Sequence, residues 1–410
     1  MKPHKPELVV PAGSPGKLRT AFLYGADAVY CGYKDFSLRR QAENFTPADL
    51  KKAVLLAKKL GKKLYLAFNI YFYDADLGRA KEALSAVREA GVRTLILSDM
   101  GMLRLCRRRF PSFEVHLSTQ ANTTNSEAVK FYADLGVKRV ILGRELSLKD
   151  IGSIRKKNPK IELEVFVHGA MCLAYSGRCF LSHYLSGRNA NQGDCRQPCR
   201  WDYGLVRRGE ADGFFPVEST ERGSAILSSK DLNMSRHIGR LVDAGVDGLK
   251  IEGRMKGEYY VAVASRAYRH AIDAAAAKRR PDPSILDELN DVSHRPYFTG
   301  FYFGPPDATG QAEKEQYERR FEFIGIAGKT GRDRLTGLDV RNPFSGSSRV
   351  EVVPPDPGRR PFLLKEFELF VEKEGKIEPS GAVKIQDRAF IRTSGILDPG
   401  TVLRSRTGPA

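Results

Sequence analysis

Residues 76–98 read DLGRAKEALSAVREAGVRTLILS: an amphipathic stretch of helical length, a glycine, then a short aliphatic run. Gly91 stands where a helix closes on a left-handed residue, a conformation glycine adopts without a Cβ clash. The run at 93–98 is too uniformly apolar for a strand with one wet face. It fits a strand buried on both sides, as in a parallel sheet. The same junction returns as LGV at 135–137 and AGV at 244–246, each followed by a charged residue and another apolar run. One βα unit is being repeated.

Working outward, apolar runs at 7–12, 27–32, 63–69, 93–98, 114–119, 139–144, 162–168 and 248–253 alternate with amphipathic segments. Segment 46–60 carries the signals of a helix start: Thr46 as N-cap, Pro47 at the first helical position and Asp49 in the first turn, with Gly61 at the far end. Eight such units predict an α/β fold, a TIM-like (β/α)8 barrel in preference to an open doubly wound sheet. A ninth candidate strand, 225–229, reads as an insertion or an irregular closure between the seventh and eighth. After about residue 310 the pattern changes to short alternating runs separated by Gly, Pro and Asp turns. The expected organisation is a catalytic barrel over 1–310, with a cysteine-containing insertion at 169–224, and a small all-β barrel domain over 311–410.

Lys and Arg total 67 against 49 Asp and Glu, a formal charge of +18 over 410 residues. Such an excess favours polyanionic partners, RNA first among them. The N-terminal stretch has no apolar core of signal-peptide length, and no window approaches the roughly 18 apolar residues of a membrane span. A cytoplasmic protein with no membrane partner is expected. In that compartment thiols stay reduced, so clustered cysteines point to metal binding or catalysis rather than a disulfide framework.

In a (β/α)8 barrel the chemistry sits where the strands end. The fifth strand leads to His116, Ser118, Thr119 and Gln120, the sixth to Arg144 and Glu145, the seventh to His168, and the eighth to Lys250, Glu252 and Arg254. Arg144, Lys250 and Arg254 suit a carboxylate or phosphate ligand, with Gln120 and Glu145 beside them. His116, His168 and Glu252 are the candidates for proton transfer. A ring of structural salt bridges is the alternative reading of the same residues.

Four of the six cysteines fall within one segment: Cys172, Cys179, Cys195 and Cys199, spaced C-x6-C-x15-C-x3-C. A set of four soft thiolates matches zinc or a 4Fe–4S cluster. Structural zinc favours tight C-x2-C knuckles, so this spacing tilts toward iron–sulfur. A cysteine nucleophile with His168 or His183 as base is the rival reading.

The run Glu164, Phe166, Gly169, Ala170, Met171, Cys172, Gly177, Cys179, Leu181, Ser182 resembles the signature of the collagenase-like peptidases, peptidase family U-32. VPAGS, HLSTQANTTN, NQGDCRQPCRW, SSKDL, GLKIEGRMK and SHRPYFTGFYFG extend the resemblance to about residue 304. It implies a barrel-like catalytic domain and, in the branch this chain is most similar to, a 4Fe–4S protein. Members of that branch hydroxylate the tRNA wobble uridine without O2, giving 5-hydroxyuridine with prephenate as oxygen donor. The implied partners are tRNA and a small anionic co-substrate, with a homo-oligomer also open. A collagenase-like peptidase and a non-catalytic RNA-binding or assembly factor are the alternatives. One departure stands out. Many members carry a cluster-ligating cysteine directly after SSKDL, and here that residue is Asn233, which leaves Cys199 as the fourth thiolate.

Overall fold

The computed structural model describes residues 5–172, 174–201, 205–206, 214–215, 230–304 and 320–406. Seven parallel strands follow in chain order: β1 (Glu7–Pro11), β2 (Ala28–Gly32), β3 (Lys63–Ala67), β4 (Thr94–Leu97), β5 (Glu114–Leu117), β6 (Arg139–Ile141) and β7 (Glu162–Ala170). After β8 (Asp231–Asn233) comes β9 (Gly248–Ile251), which pairs in parallel with both β7 and β1 and so closes an eight-stranded barrel. The expected TIM-like architecture is therefore present. The candidate strand at 225–229 lies outside the described residues. Just beyond it, β8 runs antiparallel to the end of β7, and β10 (Tyr297–Phe298) runs parallel to β8. These two strands form a short annex outside the closed ring.

The helices α1 (Pro15–Leu23), α2 (Pro47–Lys59), α3 (Leu77–Glu89), α4 (Met100–Arg109), α5 (Ser126–Asp134) and α6 (Leu148–Lys157) link the first seven strands. α2 begins as its sequence predicts. Thr46 Oγ1 accepts from the Asp49 N–H at 3.2 Å, and the Asp49 carboxylate accepts from the Thr46 N–H at 3.2 Å. Gly91 and Gly136 take φ of +88° and +79°, so the repeated helix ending is a left-handed cap. α7 (Leu181–Ser186) lies in the cysteine insertion, and α8 (Ile238–Asp243) precedes β9.

α9 (Glu258–Ala276) is buried nearly all round. A surface helix shows one apolar stripe. This one needs more because it lies between the barrel and the C-terminal module. That module holds an eight-stranded antiparallel sheet over its own core of Ile324, Leu338, Val350, Leu369, Ile391 and Leu403. Val353 and Val402 instead join the barrel's core. Among the described residues no helix is long and apolar enough to cross a membrane.

Candidate functional site

Side chains alternate in and out along a strand. On β9 and its continuation that puts Lys250, Glu252 and Arg254 inside the barrel and Ile251 outside. The inward set meets Tyr30, Arg39, Asn69, Ser118, Gln120, Arg144 and Phe166 around one cavity at the C-terminal mouth. Of the residues expected from the sequence, the structure thus brings together Gln120, Arg144, Lys250, Glu252 and Arg254. Glu252 is the centre of the arrangement. Arg39 donates to its Oε1 through Nε at 3.2 Å, and Tyr30 OH donates to Oε2 at 3.2 Å. Burial raises its pKa, but Arg39, Arg254 and Arg144 outweigh that and hold it below the usual carboxylate range. Arg254 donates to Ser37 Oγ, and burial pulls its own pKa down to about 10.

The floor of the mouth is ionic. Lys250 Nζ lies 2.8 Å from Glu164 Oε1 and 4.1 Å from the centre of the Tyr30 ring. Arg139 lies 2.9 Å from Glu164 Oε2 and 2.9 Å from Glu7 Oε1. A chain of alternating charge therefore runs from the mouth to the base of the barrel. Burial acts to raise the pKa of Glu164, but Lys250 and Arg139 lower it to about 2. Burial lowers Lys250 more than Glu164 raises it.

Three expected site residues stand elsewhere. His116 lies in the lower half of the barrel, its Nε2 3.0 Å from Glu114 Oε1 and its ring edge-on to Tyr65. It is the third residue of β5, one level below the mouth. Glu145 folds back over its own turn, its Oε2 3.0 Å from where a Cβ on Gly143 would stand. His168 shares the parity of Glu164 and Phe166 and by alternation should point inward. Instead the β7–β9 register slips: Lys250 faces Phe166, but Ile251 faces His168, so β7 carries one extra residue. Such a bulge turns a side chain to the other face. His168 goes outward with Ile251 and packs among Tyr260, Tyr268 and Tyr297. Burial there drives its pKa down to about 3.

The cysteine insertion folds back over the mouth. Arg178 donates to the Gln120 carbonyl at 3.0 Å and to Tyr71 OH at 2.8 Å. The Cys179 N–H donates to Asn191 Oδ1 at 3.2 Å, tying the first cysteine pair to the second loop. That loop is held to the barrel in turn, because the Gly193 carbonyl accepts from the Arg40 N–H at 3.1 Å and the Asn191 carbonyl from the Tyr71 N–H at 3.1 Å. Cys179 Sγ accepts from the Leu181 N–H and Cys195 Sγ from the Gln197 N–H, each at 3.3 Å. Cys172 is open to solvent at the mouth but crowded by protein around it. Burial raises its pKa, yet Arg144 and Arg39 bring the net shift downward. Arg39 feels the charge of Cys195 as well as Cys172.

Residues 13–312 match the family described as peptidase family U32. The chain belongs to peptidase family U32. Among its U32 relatives, tRNA hydroxylation protein P of Escherichia coli (strain K12) is 38% identical over 89% of this chain and 89% of its own. The 23S rRNA 5-hydroxycytidine C2501 synthase of the same organism is 39% identical over 67% of this chain and 40% of its own length. A collagenase of Porphyromonas gingivalis (strain ATCC BAA-308 / W83) is 34% identical over 73% of each chain.

The U32 signature run acquires physical reasons here. Glu164 carries the two buried cations. Gly169 has φ +97°, and a Cβ on it would stand 2.5 Å from the Glu252 carbonyl oxygen. Gly177 has φ +77°, and its Cβ would meet Gln120 Nε2 at 2.6 Å. Ser182 Oγ, fully buried, accepts from the Arg196 N–H at 3.1 Å and locks α7 to the second cysteine loop. Arg39, Tyr30 and Ser37 are the site residues that strand-end reading missed. Arg39 and Ser37 belong to the loop after β2, KDFSLRRQAENF at 34–45, whose paired arginines at the C-terminal face were the available signal.

Proposed function

We propose that this U32 protein hydroxylates RNA, with the wobble uridine of tRNA as the favoured target, using a 4Fe–4S cluster and no O2, in the cytoplasm. The observation that carries the reading is the meeting of Cys172 with Arg39 and Arg144 above a cavity that also holds Gln120, Lys250, Glu252 and Arg254. The donor set fits the cluster. Thiolates stabilised by guanidinium groups and by backbone N–H bonds at 3.3 Å suit ligation to iron, and such bonds tune cluster potential. Cys172, Cys179, Cys195 and Cys199 would hold the cluster, and when bound it supplies one-electron redox chemistry.

The protein's own residues do the rest. Arg39, Arg144 and Arg254 outnumber Glu252 at the mouth, so the surplus positive charge binds a small anionic co-substrate, prephenate for tRNA hydroxylation. Glu252, kept ionised, anchors Arg39 and Tyr30 in position. Lys250 Nζ, its pKa lowered by burial and held at the cavity floor by Glu164, replaces the histidines as the group that delivers a proton. Gln120 contributes an amide for base-edge hydrogen bonding. His168, one of the two bases the proteolytic alternative would use, faces out of the barrel among Tyr260, Tyr268 and Tyr297.

Two measurements test the reading. Nucleoside mass spectrometry of tRNA from a deletion strain without a paralogue should show loss of 5-hydroxyuridine-derived nucleosides, and unchanged levels would refute the substrate. Protein purified anaerobically should carry about four iron and four sulfide per chain, reduced by Cys199→Ser. Colourless, iron-free protein that binds zinc would sink the cluster.

A further inference from the structure

The cysteine insertion carries large aromatic rings that stand exposed among the described residues. Phe180 is 79% exposed and Tyr184 86% exposed, four residues apart at α7. That spacing puts both rings on one face, and the buried Ser182 on the opposite face fixes which side turns outward. Tyr175 and Trp201, 54% and 42% exposed, stand on the segments either side of α7. Large rings this bare cost solubility unless something covers them.

Charge complementarity identifies the occupant. Arg40 and Arg196 are exposed and have no ion-pair partner among the described residues. Arg196 is tied through its backbone to Ser182 on α7, and Arg40 to Gly193 on the second cysteine loop. Arg196 therefore belongs to the same insertion as the rings, and Arg40, on the loop after β2, borders it. Exposed aromatic faces with guanidinium groups nearby are how proteins hold single-stranded nucleic acid: the rings stack on bases and the cations meet phosphates.

We propose that Phe180, Tyr184 and Trp201 form a stacking platform for the unpaired bases of an RNA loop, with Arg40 and Arg196 on its phosphates. The platform rests on the RNA-hydroxylation reading and adds how the loop is presented. Bases flanking the target stack outside, which leaves the target base free to enter the cavity.

The test uses the full-length, anaerobically purified protein with a short RNA hairpin bearing an unpaired loop and a blunt RNA duplex of equal length. The hairpin should bind more tightly and quench the fluorescence of Trp201, the only tryptophan in the sequence. Phe180→Leu with Tyr184→Leu should lose about 10- to 100-fold in hairpin affinity. Phe180→Tyr with Tyr184→Phe should restore it, because any π-face stacks whereas leucine supplies only apolar area. Equal affinity for duplex and hairpin overturns the platform. So does an unchanged affinity of the leucine variant beside a wild type that hydroxylates tRNA. A wild-type dimer that the leucine variant splits in sedimentation also overturns it, since a second copy would then be the occupant. A wild type that binds neither RNA nor modifies it overturns the functional reading as well.

Discussion

Glu164 shows how one residue can be visible in sequence and unreadable without the fold. It sits in an aliphatic run, where a lone acid looks like an exception, yet it is fully buried and bonded to Lys250 and Arg139. Its partners lie 86 and 25 residues away. Removing the charge leaves buried Lys250 without its carboxylate partner and takes one of the three from Arg139, so Glu164→Gln should cost about 3–5 kcal/mol in urea unfolding at neutral pH. The pH dependence follows from the lowered pKa. The folded-state value of about 2 lies below the unfolded value of about 4.3. The contribution of Glu164 is therefore present above about pH 4.3 and lost as pH falls toward 2. Over that interval the stability gap between wild type and variant should close, and a constant gap would show that the carboxylate is not charged in the folded protein.

At the scale of elements, the end of β7 decides where the chemistry can be. Alternation along ELEVFVH places Glu164 and Phe166 inward, and both are there. It fails at His168 because one extra residue in β7 opposes β9, a feature of pairing that no single strand records. Gly169 makes the bend possible. Gly169→Ala meets both a positive φ and the Glu252 carbonyl oxygen and should lower stability by about 1–3 kcal/mol. Gly152→Ala is the contrast: this glycine lies inside α6 with open space around its Cβ position, and alanine there should add about 0.5–1 kcal/mol. Thermal midpoints of the two variants should move in opposite directions. If both fall alike, the bulge does not depend on the glycine.

The whole molecule is held together by contacts between barrel and C-terminal module that neither half announces. Tyr24, buried at the end of α1, donates its hydroxyl proton to the Val353 carbonyl at 2.8 Å and accepts from the Val402 N–H at 2.9 Å. Arg404 reaches Asp291 at 3.0 Å, and Arg266 on α9 donates through Nε to the Asp356 carbonyl at 3.4 Å. Tyr24→Phe leaves two buried backbone groups unpaired and should cost about 1–3 kcal/mol for each. Limited proteolysis should then release the C-terminal module sooner than in wild type, and an unaltered digestion pattern would show that the docking does not depend on this hydroxyl.

The sequence by itself determined the repeat. Strand and helix alternation, the left-handed caps at Gly91 and Gly136 and the capped start of α2 are local effects, set by residues a few positions apart. It also determined which residues cluster at the strand ends of β9, since Lys250, Glu252 and Arg254 share a parity. Tertiary structure alone decided that His116 lies below the mouth, that His168 faces a tyrosine cage, and that Arg39 crosses from another loop to hold Glu252. The reason is the range of the forces. Helix caps and strand alternation act over a handful of residues, whereas register slip, burial and charge pairing depend on which distant segment the closed barrel places alongside.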